Sequence, residues 1–178
     1  MPITTVLLDR DGVINRDRPD CVHDWSELEL LPGALDAIAA LGAGGLRLSV
    51  VTNQSCVGRG WVTDETLDAM HAELKRRAPP LEQFFVCRHR PDAGCACRKP
   101  RPGLLEQALS ELECAAERAV FVGDSVTDLE AARSAGIPSL LVLTGKGQKS
   151  ATQLEARGLE PLAVLADLEA AARWILKS

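Results

Sequence analysis

The 178 residues, of which 46% are hydrophobic and 25% charged, suffice for one well-cored domain and have the composition of a soluble globular protein. The formal net charge of −5, with no basic stripe, argues against a non-specific nucleic-acid binder. No apolar run approaches membrane-spanning length, and the amino terminus enters a predicted strand without a basic and apolar leader. We therefore expect a cytoplasmic location, with the six cysteines as thiols or metal ligands rather than disulfides.

Short apolar runs alternate with amphipathic segments along the chain. The apolar runs predict six strands, at residues 6–8, 46–51, 84–86, 119–122, 139–143 and 163–165. The amphipathic segments predict five helices, at residues 34–41, 63–78, 102–112, 128–135 and 167–176. This alternation predicts an α/β fold, with a Rossmann-like parallel sheet that carries helices on both faces, in a single domain over residues 1–178.

A polar stretch at residues 16–31 follows the first strand and predicts a loop that lies over the edge of the sheet. No large insertion follows the first strand or separates the later motifs, so no separate cap domain is expected. The walls of a site at this edge would then be the loop at residues 17–31 and the cysteine-rich segment after the third strand.

Two carboxylates directly follow the first strand, at Asp9 and Asp11, and Gly12 then allows a tight turn. Residues two apart on a strand point the same way, so both carboxylates start on one side. They lie at the carboxyl end of the strand, where open α/β sheets bind their ligands. Two anions held this close repel each other, and a divalent cation would relieve the repulsion. An Asp-Gly turn explains this pair equally well when it is taken alone.

Polar side chains also follow three other predicted strands. They comprise hydroxyl and amide groups, two cations and two further carboxylates, at Thr52, Asn53, Gln54, Ser55, Arg98, Lys99, Asp124 and Asp128. Because the carboxyl ends of parallel strands share one edge, these groups are expected to converge on the first aspartate pair. Such carboxylates and donors suit a phosphate ester with magnesium. The ammonium of Lys99 and the donors of Thr52 and Asn53 would then neutralise phosphoryl oxygens.

The chain resembles the haloacid dehalogenase superfamily of phosphohydrolases in four motifs. In order, they are Asp9-x-Asp11-Gly12, Thr52-Asn53, Lys99-Pro100 and Gly123-Asp124-x3-Asp128. The resemblance implies that Asp9 is the nucleophile, which forms an aspartyl-phosphate, and that Asp11 is the general acid and then the base. Thr52 and Lys99 complete the expected catalytic set. Mg²⁺ is expected to take oxygen ligands from Asp9, Asp11 and Asp124 and from a backbone carbonyl.

A cysteine-rich segment follows the third strand. It holds four soft or borderline ligands within eleven residues, at Cys87, His89, Cys95 and Cys97. Three thiolates and one imidazole match a closed tetrahedral zinc site, which leaves no position for water, so the zinc is expected to be structural. Small buried cysteines beside an exposed histidine are the alternative, although the polar residues between them would bury thiols poorly. The zinc would order a loop that leads directly to Arg98 and Lys99.

This zinc-bound loop and the motifs around it resemble the D-glycero-D-manno-heptose-1,7-bisphosphate 7-phosphatases over nearly the whole chain. The resemblance implies hydrolysis of the 7-phosphate of that sugar bisphosphate, a precursor of heptose nucleotides and lipopolysaccharide. Histidinol-phosphate phosphatases share the zinc loop and catalytic motifs and remain the alternative, although Asn15 and residues 54–60 favour the heptose. The implied substrate contacts are Asp17, Arg18, Pro19, Asp20, Thr52, Asn53, Gln54, Ser55, Arg98, Lys99 and Ser125.

Three features of the sequence depart from what is usual in this family. Cys56 stands where the family usually has glycine, Ser125 stands where many members have lysine, and the segment at residues 20–23 lacks a tyrosine that is often found there. The case for Arg98 does not depend on the resemblance, because a guanidinium can bind a second, distal phosphate through two hydrogen bonds.

A function of a different class would be a catalytically silent module that keeps the fold and the zinc loop in order to bind a partner. Such a module would be expected to have lost Asp9, Asp11 or Lys99, and all three are present. We therefore expect a magnesium-dependent phosphatase with structural zinc, which acts as a monomer on a small phosphorylated sugar. No nucleic-acid or membrane partner is expected.

Overall fold

Six parallel strands lie side by side in the order β3-β2-β1-β4-β5-β6 in a computed structural model, which describes residues 2–178. They are β1 (Thr5–Leu8), β2 (Arg47–Asn53), β3 (Leu81–Cys87), β4 (Ala119–Gly123), β5 (Ser139–Val142) and β6 (Ala163–Leu165). β1 is central, since Leu8 is paired with Val50 of β2 on one side and with Val122 of β4 on the other. The predicted parallel sheet is confirmed.

Within residues 2–178, seven α-helices connect these strands. They are α1 (Ala34–Ala43), α2 (Ser55–Gly58), α3 (Asp64–Arg77), α4 (Gly103–Glu111), α5 (Val126–Ser134), α6 (Gly147–Ala151) and α7 (Leu168–Ile175). Alternate residues of β1 face different layers: Val6 and Leu8 pack with residues of α1 and α7, whereas Leu7 packs with residues of α4 and α5. Helices therefore cover both faces of the sheet, as predicted.

Three elements differ from the sequence-based expectation. β3 begins at Leu81, which is fully buried and paired with Leu48, because two polar residues interrupt the apolar run on which the prediction rested. α2 and α6 were not predicted, since helices of four and five residues are too short to show a 3.6-residue periodicity. The loop after β1 contains one 3₁₀ turn, Trp25–Glu27, and the side chain of Asp24 accepts a hydrogen bond at its start.

The parallel arrangement brings the segments after β1, β2 and β4 to the same edge of the sheet. Among residues 2–178, no separate cap domain stands over this edge, since the connections there are loops and short helices. Over the same residues, no helix has both the length and the apolar character that a bilayer crossing would demand.

Candidate active site

The polar segments at the carboxyl edge of the sheet line a cleft of about 270 Å³. All residues predicted for catalysis, magnesium or substrate line this cleft, with the exception of Asp20. Asp20 lies at the surface, where its carboxylate accepts hydrogen bonds from Arg18. The predicted residues in the cleft are Asp9, Asp11, Asp17, Arg18, Pro19, Thr52, Asn53, Gln54, Ser55, Arg98, Lys99, Asp124 and Ser125.

Asp9 directly follows β1, and its Oδ1 lies 2.9 Å from Nζ of Lys99. The backbone N–H of Arg10 donates to the same oxygen at 2.7 Å. The ammonium of Lys99 also contacts Oδ1 of Asp128 at 2.7 Å and donates to the carbonyl of Val51 at 2.9 Å. Burial alone would lower the pKa of Lys99, but the charges of Asp128 and Asp9 raise it well above its usual value. Lys99 is therefore a fixed cation beside Asp9.

Three buried carboxylates, from Asp9, Asp124 and Asp128, have oxygens within 4.8 Å of one another. Burial and mutual repulsion raise the pKa of Asp9 to about 7 and the pKa of Asp124 to about 8. Carboxylate oxygens are ligands that Mg²⁺ prefers, and a divalent cation would relieve this crowding of anions. The donor set therefore fits magnesium. The carboxylate of Asp11, which was also predicted as a ligand, is not part of this cluster.

Asp11 is held by three side chains in a separate polar environment. Nη2 of Arg10 donates to both of its oxygens, at 2.9 and 3.1 Å, and the amides of Asn15 and Gln54 donate at 2.9 and 2.6 Å. Burial alone would raise the pKa of Asp11, but Arg10 and these hydrogen bonds hold it below its usual value. Arg10 is itself buried, and its Nη1 lies 3.2 Å from Nε2 of His71.

Asp128 and Ser125 form a capping box at the start of α5. The backbone N–H of Ser125 donates to Oδ2 of Asp128 at 3.0 Å, and the backbone N–H of Asp128 donates to the hydroxyl of Ser125 at 3.3 Å. This pairing turns Oδ1 of Asp128 toward Lys99. Ser125, which was predicted as a substrate contact, lines the cleft while its hydroxyl caps the helix.

The last residue of β2 fixes the backbone of Lys99. The side chain of Asn53 donates to the carbonyl of Lys99 and accepts from its N–H, both at 3.1 Å. Gln54 Nε2 donates to the hydroxyl oxygen of Thr52 at 2.9 Å, and Thr52 is buried. The donors at the end of β2 and the cation after the cysteine-rich loop are thus connected by hydrogen bonds.

Asp17, Arg18 and Pro19 form one wall of the cleft. Asp17 is paired with Nζ of Lys146 at 2.9 Å, and the backbone N–H of Lys146 donates to Oδ2 of Asp124 at 2.7 Å. Lys146 therefore links this wall to the carboxylate cluster.

A further wall comes from α2 and the turn after it. There the guanidinium of Arg59 lies over the ring of Trp61, 4.9 Å from its centre, and both residues line the cleft. The expectation that the cysteine-rich loop forms a wall is wrong, because residues 87–97 lie outside the cleft and only the following Arg98 and Lys99 reach it. That loop is too tightly folded around its own cysteines to extend over the cleft.

Four ligand atoms from Cys87, His89, Cys95 and Cys97 lie within 4.8 Å of one another. Nδ1 of His89 is 3.2 Å from Sγ of Cys97, and Sγ of Cys87 is 3.7 Å from Sγ of Cys95. Burial and the neighbouring thiols raise the pKa of Cys97 to about 12. Three thiols and an imidazole packed this closely fit zinc, which would hold the sulfurs as thiolates.

Cys21 and Cys56 form a disulfide with their Cα atoms 6.4 Å apart. The expectation of thiols or metal ligands is therefore wrong for these two cysteines. It rested on the redox state of the expected compartment. The pairing depends on how two loops meet, since 35 residues separate the partners.

Several residues that line the cleft or support its lining were not identified from the sequence. Lys146 follows the fifth strand next to a glycine, a position that could have been grouped with the other strand ends. His71 lies on the apolar face of α3 and gave no signal of its own, because it acts through Arg10. Trp61 also lies in the cleft and was not identified, whereas Arg59 belongs to residues 54–60, which the sequence already connected with the heptose.

A family model described as HAD-hydrolase-like matches residues 96–171. The chain is 41% identical to D-glycero-beta-D-manno-heptose-1,7-bisphosphate 7-phosphatase of Pseudomonas putida, over 96% of this chain and 98% of that protein. It is 40% identical to the protein of that name from Neisseria meningitidis serogroup A, over 83% of this chain and 81% of the relative.

A solved structure gives the same result. The crystal structure of D,D-heptose 1,7-bisphosphate phosphatase from B. bronchiseptica, complexed with magnesium and phosphate, superposes with a TM-score of 0.91. The two sequences are 37% identical, and the superposed region covers 98% of this chain and 99% of the B. bronchiseptica chain. The chain therefore belongs to the D-glycero-D-manno-heptose-1,7-bisphosphate 7-phosphatase family of haloacid dehalogenase-like hydrolases.

Proposed function

We propose that the protein hydrolyses the 7-phosphate of D-glycero-D-manno-heptose 1,7-bisphosphate through an aspartyl-phosphate on Asp9. The observation that carries the proposal is the contact between Asp9 and the buried Lys99, in a cleft that also holds Asp11 and Asp124. The heptose bisphosphate phosphatases among the relatives support this substrate over histidinol phosphate.

Asp9 attacks phosphorus as a carboxylate, so it needs no base to remove a proton. The N–H of Arg10 and the ammonium of Lys99 both bind Oδ1, which leaves Oδ2 of Asp9 free to attack. Lys99 and the hydroxyl of Thr52 would neutralise charge on the transferring phosphoryl group. The covalent step divides hydrolysis into formation and breakdown of the aspartyl-phosphate.

Asp11 moves the proton in both steps. Its low pKa keeps it a carboxylate in the free enzyme, and the negative charge of an entering phosphate ester raises its affinity for a proton. Asp11 therefore takes up a proton from solvent when the substrate binds and gives it to the leaving sugar oxygen. Once ionised again, it takes a proton from the water that attacks the aspartyl-phosphate. Arg10 and Gln54 hold the carboxylate in one orientation for both transfers.

Arg98 binds the second phosphate of the substrate, which is not the one that is hydrolysed. It lines the cleft next to Lys99, and its Nη1 is buried without a hydrogen-bond partner among the described residues. A buried donor without a partner is costly, and the second phosphate of a bisphosphate would satisfy it. Asp17 and Arg18 on the neighbouring wall are suited to contact sugar hydroxyls.

Two metals complete the proposal. Asp9, Asp124 and the segment that carries Asp11 would hold Mg²⁺, which neutralises the phosphate charge when bound. Cys87, His89, Cys95 and Cys97 would hold a structural Zn²⁺ with no open position. The zinc keeps the loop before Arg98 and Lys99 in place.

We also propose that the chain acts as one hydrolase domain and as a monomer in the cytoplasm, on a small phosphorylated sugar and without a nucleic-acid partner. A single sheet takes strands from residue 5 to residue 165, which supports one folding unit. One chain brings all the proposed catalytic groups into a single cleft, which supports action as a monomer.

Phosphate release from the heptose bisphosphate, histidinol phosphate and p-nitrophenyl phosphate, with and without Mg²⁺, tests the function. The expected result is magnesium-dependent release with the highest kcat/KM on the heptose bisphosphate. Asp9→Asn should remove activity on all three, because an amide is not a nucleophile. The matched control is Asp36→Asn, the same change on an exposed residue of α1. A preference for histidinol phosphate would overturn the substrate, and normal turnover by Asp9→Asn would overturn the mechanism.

A further inference from the structure

The Cys21–Cys56 disulfide joins two walls of the cleft. Cys21 belongs to the loop that carries Asp17 and Arg18, and Cys56 belongs to α2, directly after Ser55. Both cysteines line the cleft. The bond therefore connects two sets of proposed substrate contacts that lie far apart in the sequence.

The part of the loop that lines the cleft, at residues 17–21, has few other links to the protein, whereas Val22 and the residues after it pack toward α3. Arg18 Nε donates to the carbonyl of Cys21 at 3.1 Å, and the guanidinium also binds Asp20 of the same loop. These hydrogen bonds stay within the loop, so they do not fix its position over the sheet. Val22 packs in a small apolar cluster, and Asp17 is paired with Lys146 at the loop's start.

The position of Arg18 therefore depends on the position of Cys21. Cys21 has a φ of +70°, a left-handed conformation that is unfavourable for residues other than glycine. A free loop would leave this conformation readily, and the cross-link opposes that change.

The Cys56 end is part of a rigid turn. The carbonyl of Cys56 accepts the backbone N–H of Trp61 at 2.9 Å, and Trp61 stands at the cleft under Arg59. Cys56 is itself 7% exposed, in the same apolar cluster as Val22. The disulfide thus joins residues 17–21, which have few other contacts, to the hydrogen-bonded turn after Ser55.

We propose, on the basis of the function proposed above, that the Cys21–Cys56 disulfide is a positioning cross-link, which sets the affinity of the cleft for the sugar portion of the substrate. Its reduction loosens the loop and weakens that affinity. The bond does not reach Asp9, Lys99 or Asp124, which lie directly after β1, before α4 and directly after β4. The cross-link therefore acts on KM for the sugar bisphosphate more than on kcat.

A dithiol reduces the Cys21–Cys56 disulfide in two exchange steps. A thiolate of the reductant attacks one sulfur of the bridge and forms a mixed disulfide, while the other cysteine leaves as a thiolate and takes up a proton. The second thiol of the reductant then displaces the remaining cysteine, which is also protonated. Two electrons and two protons reach Cys21 and Cys56, and the dithiol leaves as its cyclic disulfide. Disulfides of cytosolic proteins are often redox-sensing, which agrees with this reversible step.

The test compares oxidised wild-type protein with Cys21→Ser, Cys56→Ser and the double variant. The substrates are the heptose bisphosphate and p-nitrophenyl phosphate. Each variant should raise KM for the bisphosphate about tenfold, with kcat changed by less than about twofold. The ratio of kcat/KM for the bisphosphate to kcat/KM for the aryl ester should fall by a similar factor. The double variant should match the single ones, because either change breaks the same bond.

Controls separate this effect from loss of zinc and from poor folding. Reduced wild-type protein keeps both side chains and should reproduce the single variants, whereas reductant should leave the double variant unchanged. Cys114→Ser should behave as oxidised wild type. Thiol titration of unfolded, zinc-free protein should find four thiols before reduction and six after it.

A wild-type KM in the double variant, or six thiols in the oxidised protein, would overturn the cross-link. Equal losses on both substrates would overturn its role in substrate affinity. Failure of the proposed function looks different, since the oxidised wild-type protein would then release no phosphate from the heptose bisphosphate or would prefer histidinol phosphate.

Discussion

Oδ1 of Asp128 lies 2.7 Å from Nζ of Lys99, and both side chains are almost completely buried. The capping box at the start of α5 holds the other oxygen of Asp128, so its carboxylate cannot rotate away. Asp128 therefore aims Lys99 at Asp9 and compensates its charge in a site with little water. It acts on the reaction through Lys99.

Asp128→Asn keeps the size of the side chain and removes its charge. Lys99 then loses its shorter ion pair, and the amide group can present a donor where an acceptor is needed. We expect kcat/KM to fall about tenfold to a hundredfold on every phosphate ester, a loss of about 1.4–2.7 kcal/mol of transition-state stabilisation. Steady-state kinetics on the heptose bisphosphate and on p-nitrophenyl phosphate measure this loss. Wild-type rates in Asp128→Asn, with Asp36→Asn also unchanged, would show that Lys99 needs no such partner.

Arg98→Ala removes a guanidinium that has a donor free for a second phosphate. The loss in kcat/KM should be about a hundredfold on the heptose bisphosphate and less than about threefold on p-nitrophenyl phosphate, which has no distal phosphate. Arg98→Lys should recover part of the activity, because it keeps the charge but not the paired hydrogen bonds. Lys99→Ala is the contrasting variant and should reduce turnover of both substrates. Equal effects of Arg98→Ala on both substrates would refute its role in recognition.

Cys95→Ser should remove zinc from the loop at residues 87–97. Three ligands remain, and a hydroxyl is a poor substitute for a thiolate. The freed loop should no longer hold Arg98 and Lys99, so most activity is lost while the sheet still unfolds cooperatively. Metal analysis of the purified protein should give one zinc per wild-type chain and less than about a tenth of that in Cys95→Ser. Full activity in a zinc-free protein would contradict the structural role, and Cys114→Ser is the control.

The lowered pKa of His71 predicts that the free energy of unfolding depends on pH. Burial, and then the charge of Arg10, lower the pKa of His71 to about 3 from the usual 6.5. Between these values the unfolded chain binds the proton and the folded protein does not. The free energy of unfolding should therefore fall as the pH drops below 6.5, by about 1.4 kcal/mol per pH unit for this one group.

His71→Gln keeps an acceptor for Arg10 but cannot titrate. Urea unfolding at pH 7.5, 6.5, 5.5 and 4.5 should show a smaller loss of stability for His71→Gln than for wild type below pH 6.5. Above that pH the difference between the two proteins should be constant. The zinc loop and the carboxylates are common to both proteins, so they cancel in the comparison. Parallel curves across the whole range would mean that His71 takes up its proton in the folded state.

The strand ends and their polar residues could be predicted because each depends on a local pattern. An apolar run followed by Asp9 or Asp124 needs no knowledge of distant contacts, and parallel strands bring such ends together. The zinc ligands are also local, within residues 87–97.

Contacts between distant loops could not be predicted in the same way. The disulfide joins Cys21 to a residue 35 positions away, and the contact of Arg10 with His71 spans 61 positions. Neither pairing leaves a periodic signal, because each depends on where two loops or a loop and a helix meet. The carboxylate of Asp11, which was predicted as a metal ligand, lies outside the carboxylate cluster for a related reason. Strand alternation indicates on which side of the sheet the side chain of Asp11 starts, but hydrogen bonds from Arg10 and Gln54 set the orientation of its carboxylate.

The central place of β1 in the sheet has a consequence for synthesis of the chain. β1 is made first, but β2 and β4, which flank it, begin only at residues 47 and 119. While the ribosome is still adding the residues before β4, the strand that carries Asp9 has one edge without a partner. Open strand edges pair readily with other chains, and parallel sheets with long connections form slowly. The nucleophile therefore directly follows a strand that stays unpaired at one edge during synthesis, and the carboxylate cluster is complete only when residue 128 of the 178 has been added.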